Sequence, residues 1–363
     1  MNLMPPIDRN SSDRFKGMVL FLCMMLPVLI GCGALNSISL PTATPTASIP
    51  PTSTLTQTPE PTFTPTATAI PTLCGGPPAM FILLVGSDSR KDSYDAGLAD
   101  SIRLVRLDFI EPRVQLLSFY RDLYVEIPGI EDHGGVTHGK LNQAYLYGNP
   151  AYDFYDDPGQ GPGLLALTLE HNFGAHVDHY VALNLQSFVS VVDAFDGIDI
   201  NLPFVIDGRV PGSKDANLYF PAGKQHLNGY RTMLLARLRQ QGDFQRAEIQ
   251  NLIMLALAEK LFSLSIIREL PQLLEAFRDS VQTDLGLVEI GQLLCLSTML
   301  DLQKIEFVSF PEDLFKSERV QDLVLGNTSI LAADFDILKT YVQNFNNGVW
   351  VRFVEDLRDE VNP

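Results

Sequence analysis

Met80-Phe81-Ile82-Leu83-Leu84-Val85-Gly86 is an unbroken apolar run closed by glycine. Such a run reads as a strand buried on both faces of a sheet. Working outward, residues 101–109 and 113–119 flank Glu111-Pro112 and read as a hairpin laid beside that strand. Residues 161–173 open with Gly and Pro and then repeat apolar positions at helical spacing. Short strands at 179–184 and 198–202 enclose a helix at 185–195. Residues 227–239 predict a helix with Asn228 as its N-cap, and 243–262 a second one opened by Asp243. Further on, the pattern predicts helices at 271–278 and 287–300, a strand at 304–310 and a helix near 332–345. Strands alternating with helices imply an α/β (α+β) fold, a central mixed β-sheet flanked by helices.

The chain has 363 residues, with 43 acidic against 26 basic side chains, a net charge of −17. That balance excludes nonspecific nucleic-acid binding, which needs a basic footprint. Any anionic ligand must be gripped by a local cluster of Arg and Lys working against the overall field. An apolar content of 46% supplies a sizeable core and excludes wholesale disorder. The 4 cysteines include no Cys-x-x-Cys pair, so zinc ribbons and thioredoxin-like chemistry are out.

Arg9, Arg14 and Lys16 precede an apolar run over 17–30 that ends in Leu29-Ile30-Gly31-Cys32. A charged lead, a short apolar stretch and a small residue before the cut are the marks of an export signal. The run falls short of the ~20 residues of a spanning helix, and Pro27 interrupts it. Gly31-Cys32 resembles a bacterial lipobox, which makes Cys32 the lipidation site; an uncleaved anchor helix is the alternative. Both place the rest of the chain on the extracytoplasmic face of the cell membrane. Residues 33–72 are Pro- and Thr-rich and form a tether unable to bury a core. The division is therefore signal or anchor over 1–32, linker over 33–72, a core over 73–262, and a C-terminal helical or α+β portion over 263–363 packed on that core. Once Cys23 leaves with the signal and Cys32 is acylated, Cys74 and Cys295 remain to pair in an oxidising space.

Five places carry chemistry. Gly86-Ser87-Asp88-Ser89-Arg90 follows the first strand, at the carboxyl end where sheets present ligands. Asp100 precedes the second strand, Arg121-Asp122 follows the hairpin, and Lys140-Leu141-Asn142 comes next. The densest group is Arg237 and Arg239 at one helix end, then Asp243, Arg246 and Gln250 along the next helix. Each has a plain structural reading: a polar turn, a basic helix C-terminus favoured by the dipole, a solvated stripe at i, i+4. Taken together, guanidinium forks suit phosphate oxygens and paired carboxylates suit a divalent metal. The set fits a pyrophosphate with Mg²⁺. Neither a Gly-x-Ser-x-Gly elbow nor a Gly-x-x-x-x-Gly-Lys-Ser/Thr loop occurs, so neither an α/β-hydrolase nor an ATP site is indicated.

The order GSDSR, DSIRLV, SFYRD, KLNQAY and Leu227-Asn228-Gly229-Tyr230 with ARLR and DFQR resembles the LytR-CpsA-Psr family over residues 79–262. Several ordered motifs are far more specific than any single one. The resemblance implies an extracytoplasmic phosphotransferase. Its donor would be a polyprenyl-pyrophosphate-linked glycan and its acceptor peptidoglycan or another envelope glycan. It implies Mg²⁺ held by Asp88 and Asp100, and pyrophosphate held by Arg121, Arg237, Arg239, Arg246 and Gln250, with Arg90 and Lys140 nearby. The acceptor proton would go to Asp100 or Asp122. The carrier tail needs an apolar slot, for which 164–169 and 252–261 are candidate walls. Hydrolysis of the same linkage, and non-catalytic binding of lipid-linked glycans, are the competing functions.

Three positions depart from the family pattern. Leu98-Ala99-Asp100 stands where the family usually has Arg-Thr/Ser-Asp, so a phosphate-contacting Arg is missing. Ile249-Gln250 replaces Arg-Gln, and Tyr120 replaces Pro before Arg121. One lost charge-assisted phosphate contact costs about 10²–10³ in rate. Arg103 and Lys91 are the available replacements.

Overall fold

The computed structural model describes residues 71–89, 93–210, 213–238, 243–261 and 280–350. The expected export signal, Cys32, the expected linker up to residue 70, Arg90, Lys91, Arg239 and the helix expected at 271–278 lie outside the described residues.

The apolar run at 80–86 forms β1 (Ala79–Ser87), and its neighbours form β2 (Ala99–Asp108) and β3 (Arg113–Phe119). Then come β4 (Tyr124–Glu126), β5 (His138–Lys140), α1 (Leu141–Gly148), α2 (Gln160–Phe173), β6 (His179–Leu183) and α3 (Leu185–Ala194). The strands β7 (Ile198–Leu202), β8 (Ile206–Asp207), β9 (Tyr219–Phe220) and β10 (Gly223–Leu227) precede α4 (Gly229–Arg237) and α5 (Asp243–Leu261). The C-terminal part adds β11 (Gln282–Thr283), a helix Leu287–Ser297, β12 (Ile305–Ser309), β13 (Phe315–Asp322), β14 (Gly326–Ala333) and a helix Phe335–Asn346.

Six strands make one mixed sheet in the order β11-β6-β1-β2-β3-β12. β1, β2 and β3 run antiparallel, whereas β6 joins β1 and β12 joins β3 in parallel. The C-terminal residues thus supply both outer strands. Alternation along β2 sends Ile102 and Leu104 into a core under α1, α2 and the last helix. Its other face packs Val105 with Met80, Ile82 and Leu296. A satellite core joins β7 and β10 to α3, α4 and α5. Gly229 lets α4 meet α3 closely, since a Cβ there would collide with the Val189 carbonyl.

Asn228 caps α4 as expected, its side chain accepting from the Arg231 amide at 2.9 Å. The helix expected near 332–345 begins later, because Ala332 and Ala333 pair with Lys316 and Phe315 in a β-hairpin. Cross-strand pairing there outweighs alanine's helix propensity, and the N-cap is Asp334. Cys74 and Cys295 form a disulfide, tying the start of the fold to the helix Leu287–Ser297 across a separation of 221 residues. Among the described residues, no helix is long and apolar enough to cross a membrane.

Candidate functional site

At one end of the sheet β1 ends, β2 begins and β3 ends. Gly86 pairs with Ser101 but Ser87 pairs with Ala99, so the register slips and Asp100 is left over. Such a bulge bends the strand and re-aims a side chain. The approach to it is tight: Gly97 has φ +150°, and a Cβ there would collide with Ser87 Oγ. Asp88 is fastened to this approach, its amide donating to the Leu98 carbonyl at 3.1 Å. Its carboxylate in turn accepts from the Leu98 amide at 2.8 Å.

Charged groups converge on the bulge. Arg121 is ion-paired with Asp100, and its Nε lies 3.3 Å from an Asp122 oxygen. The other Asp122 oxygen receives Lys140 Nζ at 2.9 Å. Lys140 comes into reach because β5 pairs Lys140 with Tyr124, two residues past Asp122. Asp100, Arg121, Asp122, Arg246 and Gln250 line a small polar cavity. Leu331 of β14 closes one side, its amide donating to the Asp122 carbonyl at 2.8 Å. Burial, assisted by the Glu312 charge, pushes the Tyr120 phenol well above its usual range, so it enters this cavity neutral.

A second cavity of about 210 Å³ opens beside the first. Leu183, Phe188, Met233, Ile253, Met254 and Leu257 make it largely apolar, and Arg237 stands on its wall. Asp100, Ser101, Arg103 and Gln250 line both cavities and form the seam between them.

Arg103 is the buried member of that seam, only 2% exposed. It donates to Ser118 Oγ at 2.8 Å, to Asn251 Oδ1, and at 3.4 Å to both the Ala247 carbonyl and Gln250 Oε1. Among the described residues no carboxylate pairs with it, and its Nε has no hydrogen-bond partner. Burial pulls its pKa down to about 10, leaving it cationic at neutral pH.

Of the residues expected to act together, Asp100, Arg121, Asp122, Arg246 and Gln250 share the polar cavity, with Lys140 paired to Asp122. Arg237 belongs to the apolar cavity. Asp88 lies on the loop behind the bulge and lines neither cavity. Ile249 is buried in the satellite core and also lines neither. The 252–261 segment supplies Met254 and Leu257 to the apolar wall, whereas Leu164, Leu165 and Leu169 are spent in the main core. The contribution of Leu331 went unseen, because nothing in a polar-alternating segment announces a hairpin folded onto the site. Arg103 was named with Lys91 as an available replacement cation, but its place on the seam between two cavities was not legible, since it depends on α5 packing against the strand.

His171, His176 and His179 lie beside Glu126, Asp178 and Asp284 respectively, each an ordinary His–carboxylate contact. Among the described residues, no three His, Cys, Asp or Glu side chains gather as a metal cage. Asp88 and Asp100 offer oxygen donors only. Such a sparse, hard donor set fits Mg²⁺, which takes one or two carboxylates and fills its remaining positions with water and phosphate oxygens.

The model of the LytR_cpsA_psr family matches residues 75–344. The polyisoprenyl-teichoic acid–peptidoglycan teichoic acid transferase TagV of Bacillus subtilis is 29% identical over 211 residues, covering 57% of this chain and 50% of TagV. The regulatory protein MsrR of Staphylococcus aureus is 29% identical over 217 residues, 58% of either chain. The corresponding TagU transferase of Halalkalibacterium halodurans is 30% identical over 209 residues, 57% of this chain and 61% of TagU. The chain thus spans between half and about three fifths of these relatives. The crystal structure of B. subtilis TagV superposes with a TM-score of 0.57 at 25% identity, over 75% of this chain and 98% of that one. The structure described as TagT bound to LIIa-WTA shares the fold, with a TM-score of 0.53 at 20% identity over 75% of this chain and 91% of that one.

Proposed function

The chain belongs to the LytR_cpsA_psr family, and from that premise we propose that it moves a glycopolymer from a polyprenyl pyrophosphate carrier onto peptidoglycan or another envelope glycan. The observation that carries this reading is the seam: a polar cavity rich in cations and carboxylates shares a wall with an apolar cavity. An amphiphile with a charged head and a hydrocarbon tail suits that pair. Keeping the tail out of water is worth ~0.8 kcal/mol per CH₂.

In this reading Arg121 and Arg246 hold the pyrophosphate oxygens, Gln250 fixes its orientation, and Arg237 flanks the tail side; Arg239, outside the described residues, keeps the pyrophosphate role that the resemblance implies. Lys140 keeps Asp122 in place. The acceptor hydroxyl attacks the sugar-linked phosphorus, forming a new P–O bond. The bond to the bridging oxygen breaks and polyprenyl phosphate departs. The hydroxyl proton passes to Asp100 or Asp122, the carboxylates inside the cavity. Asp88 and Asp100 would hold Mg²⁺, which supplies charge neutralisation on the phosphates when bound. Cys32 lipidation and the linker over 33–72 would keep the enzyme at the extracytoplasmic face, within reach of a membrane carrier. The Cys74–Cys295 disulfide suits such an oxidising location.

The test is an assay of the full-length protein in detergent, with a polyprenyl pyrophosphate glycan, an acceptor glycan and Mg²⁺. Glycan joined to acceptor, with one polyprenyl phosphate released per transfer, is expected. Polyprenyl phosphate released into water without joined product would replace transfer by hydrolysis. Saturable binding with no turnover would make the protein a carrier-binding module.

A further inference from the structure

We infer that Arg103, on the seam between the two cavities, supplies the pyrophosphate-binding cation that Leu98 does not. The inference rests on the proposed reading of those cavities as the head and tail sites of a prenyl pyrophosphate.

Four observations converge on Arg103. It sits on the wall shared by both cavities, where the first phosphate after the hydrocarbon tail must pass. It is almost wholly buried, and buried guanidinium groups are normally matched by a carboxylate. Here the visible partners are two amide oxygens, a hydroxyl and a backbone carbonyl, with Nε unpartnered. The carboxylate that shares its strand end, Asp100, is ion-paired with Arg121 instead.

An uncompensated internal cation beside a ligand cavity is a preorganised anion receptor. Ser118, Asn251 and Gln250 hold its fork in place, so little reorganisation is needed when phosphate arrives. The fork also explains how the chain tolerates Leu98. That residue shares the strand approach and meets Asp88 through its backbone amide and carbonyl. The charge has moved five positions along the chain, from the loop to the strand.

The experiment measures binding of farnesyl pyrophosphate, and of uncharged farnesol, to the full-length protein and to Arg103→Met, Arg103→Gln and Leu98→Arg/Arg103→Met. Arg103→Met should bind farnesyl pyrophosphate about 10- to 100-fold more weakly, the size of one charge-assisted contact. Farnesol binding should stay within about twofold, which a merely structural role for Arg103 would not allow. Leu98→Arg should recover most of the lost pyrophosphate affinity. Equal pyrophosphate binding by wild type and Arg103→Met overturns the inference while leaving the proposed function standing. Parallel loss of both probes also overturns it, by assigning Arg103 to structure. Should Arg103→Met not fold, Arg103→Gln carries the same expectation and the same overturning results. If wild type binds neither probe, the reading of the cavities falls first, and this inference with it.

Discussion

The guanidinium of Arg121, two residues past β3, is ion-paired with the carboxylate of Asp100, the residue left over by the register slip in β2. The same Arg121 leans on Asp122, which is itself held by Lys140. One cation therefore keeps two carboxylates of the polar cavity from repelling one another, and under the proposed function it would be shared with an anionic substrate.

Removing that cation should be costly. Arg121→Ala leaves Asp100 and Asp122 facing the site proposed for phosphate, with Lys140 on one of them. Transfer is expected to fall by about 10²–10³, the cost of one preorganised charge contact. Arg121→Lys should recover only part of the loss, since an ammonium cannot fork between two carboxylates. Turnover measured with saturating acceptor checks this; activity within threefold of wild type for Arg121→Ala would remove Arg121 from the machinery.

Leu98, where the resemblance implies an Arg, stands two residues before Asp100 of the bulge. If Arg103 already supplies the missing charge, Leu98→Arg alone should change transfer by less than about threefold. In an Arg103→Met background the same change should raise it by about tenfold or more. The two rates, measured as a double-mutant cycle, give the coupling directly. A large gain from Leu98→Arg in the wild-type background would mean that the charge at this end of the site is truly absent.

The Cys74–Cys295 bridge closes a loop of 221 residues. In the chain-entropy description a loop of that length is worth ~5 kcal/mol, and measured losses run about 2–5 kcal/mol. Cys295→Ser should lower unfolding stability by that amount in denaturant titrations. A reductant should destabilise the wild type similarly and leave the variant unmoved.

Asp108 is expected to contribute to the acid edge of stability in the sheet. Burial works to raise its pKa, yet the amides of Glu111 and Ile110 and the Arg106 guanidinium overcome it and hold the carboxyl below 3.8. A depressed carboxyl stabilises the fold above its unfolded pKa, and that stability is lost as pH falls through the lower folded value. Asp108→Asn should therefore weaken the protein at neutral pH and flatten the acid limb of its stability profile. An unchanged slope below pH 4 would assign that limb to other groups.

Much of this architecture was legible in the chain. The apolar run at 80–86 announced a doubly buried strand, and its two neighbours were found as β2 and β3 because period and breaker residues are local signals. Asn228 and Asp243 marked helix starts for the same reason. The hairpin β13–β14 was not legible: its strand Phe315–Asp322 is mostly polar and exposed, and Ala332-Ala333 favours helix until its partner strand is present. The residue types of the site were also visible, as scattered Asp, Arg and Lys in ordered motifs.

What the sequence determined by itself was the inventory: strands, caps, acidic balance, and the charged residues an anionic head group would require. Only the tertiary structure decided their arrangement. A one-residue slip between Gly86 and Ser87 turned Asp100 toward Arg121. Packing of α5 against the sheet buried Arg103 among Ser118, Asn251 and Gln250, with no carboxylate paired to it among the described residues. Register and helix packing are non-local, fixed by residues more than a hundred positions apart in Arg103 and Gln250. No window of sequence contains the contact that makes the seam.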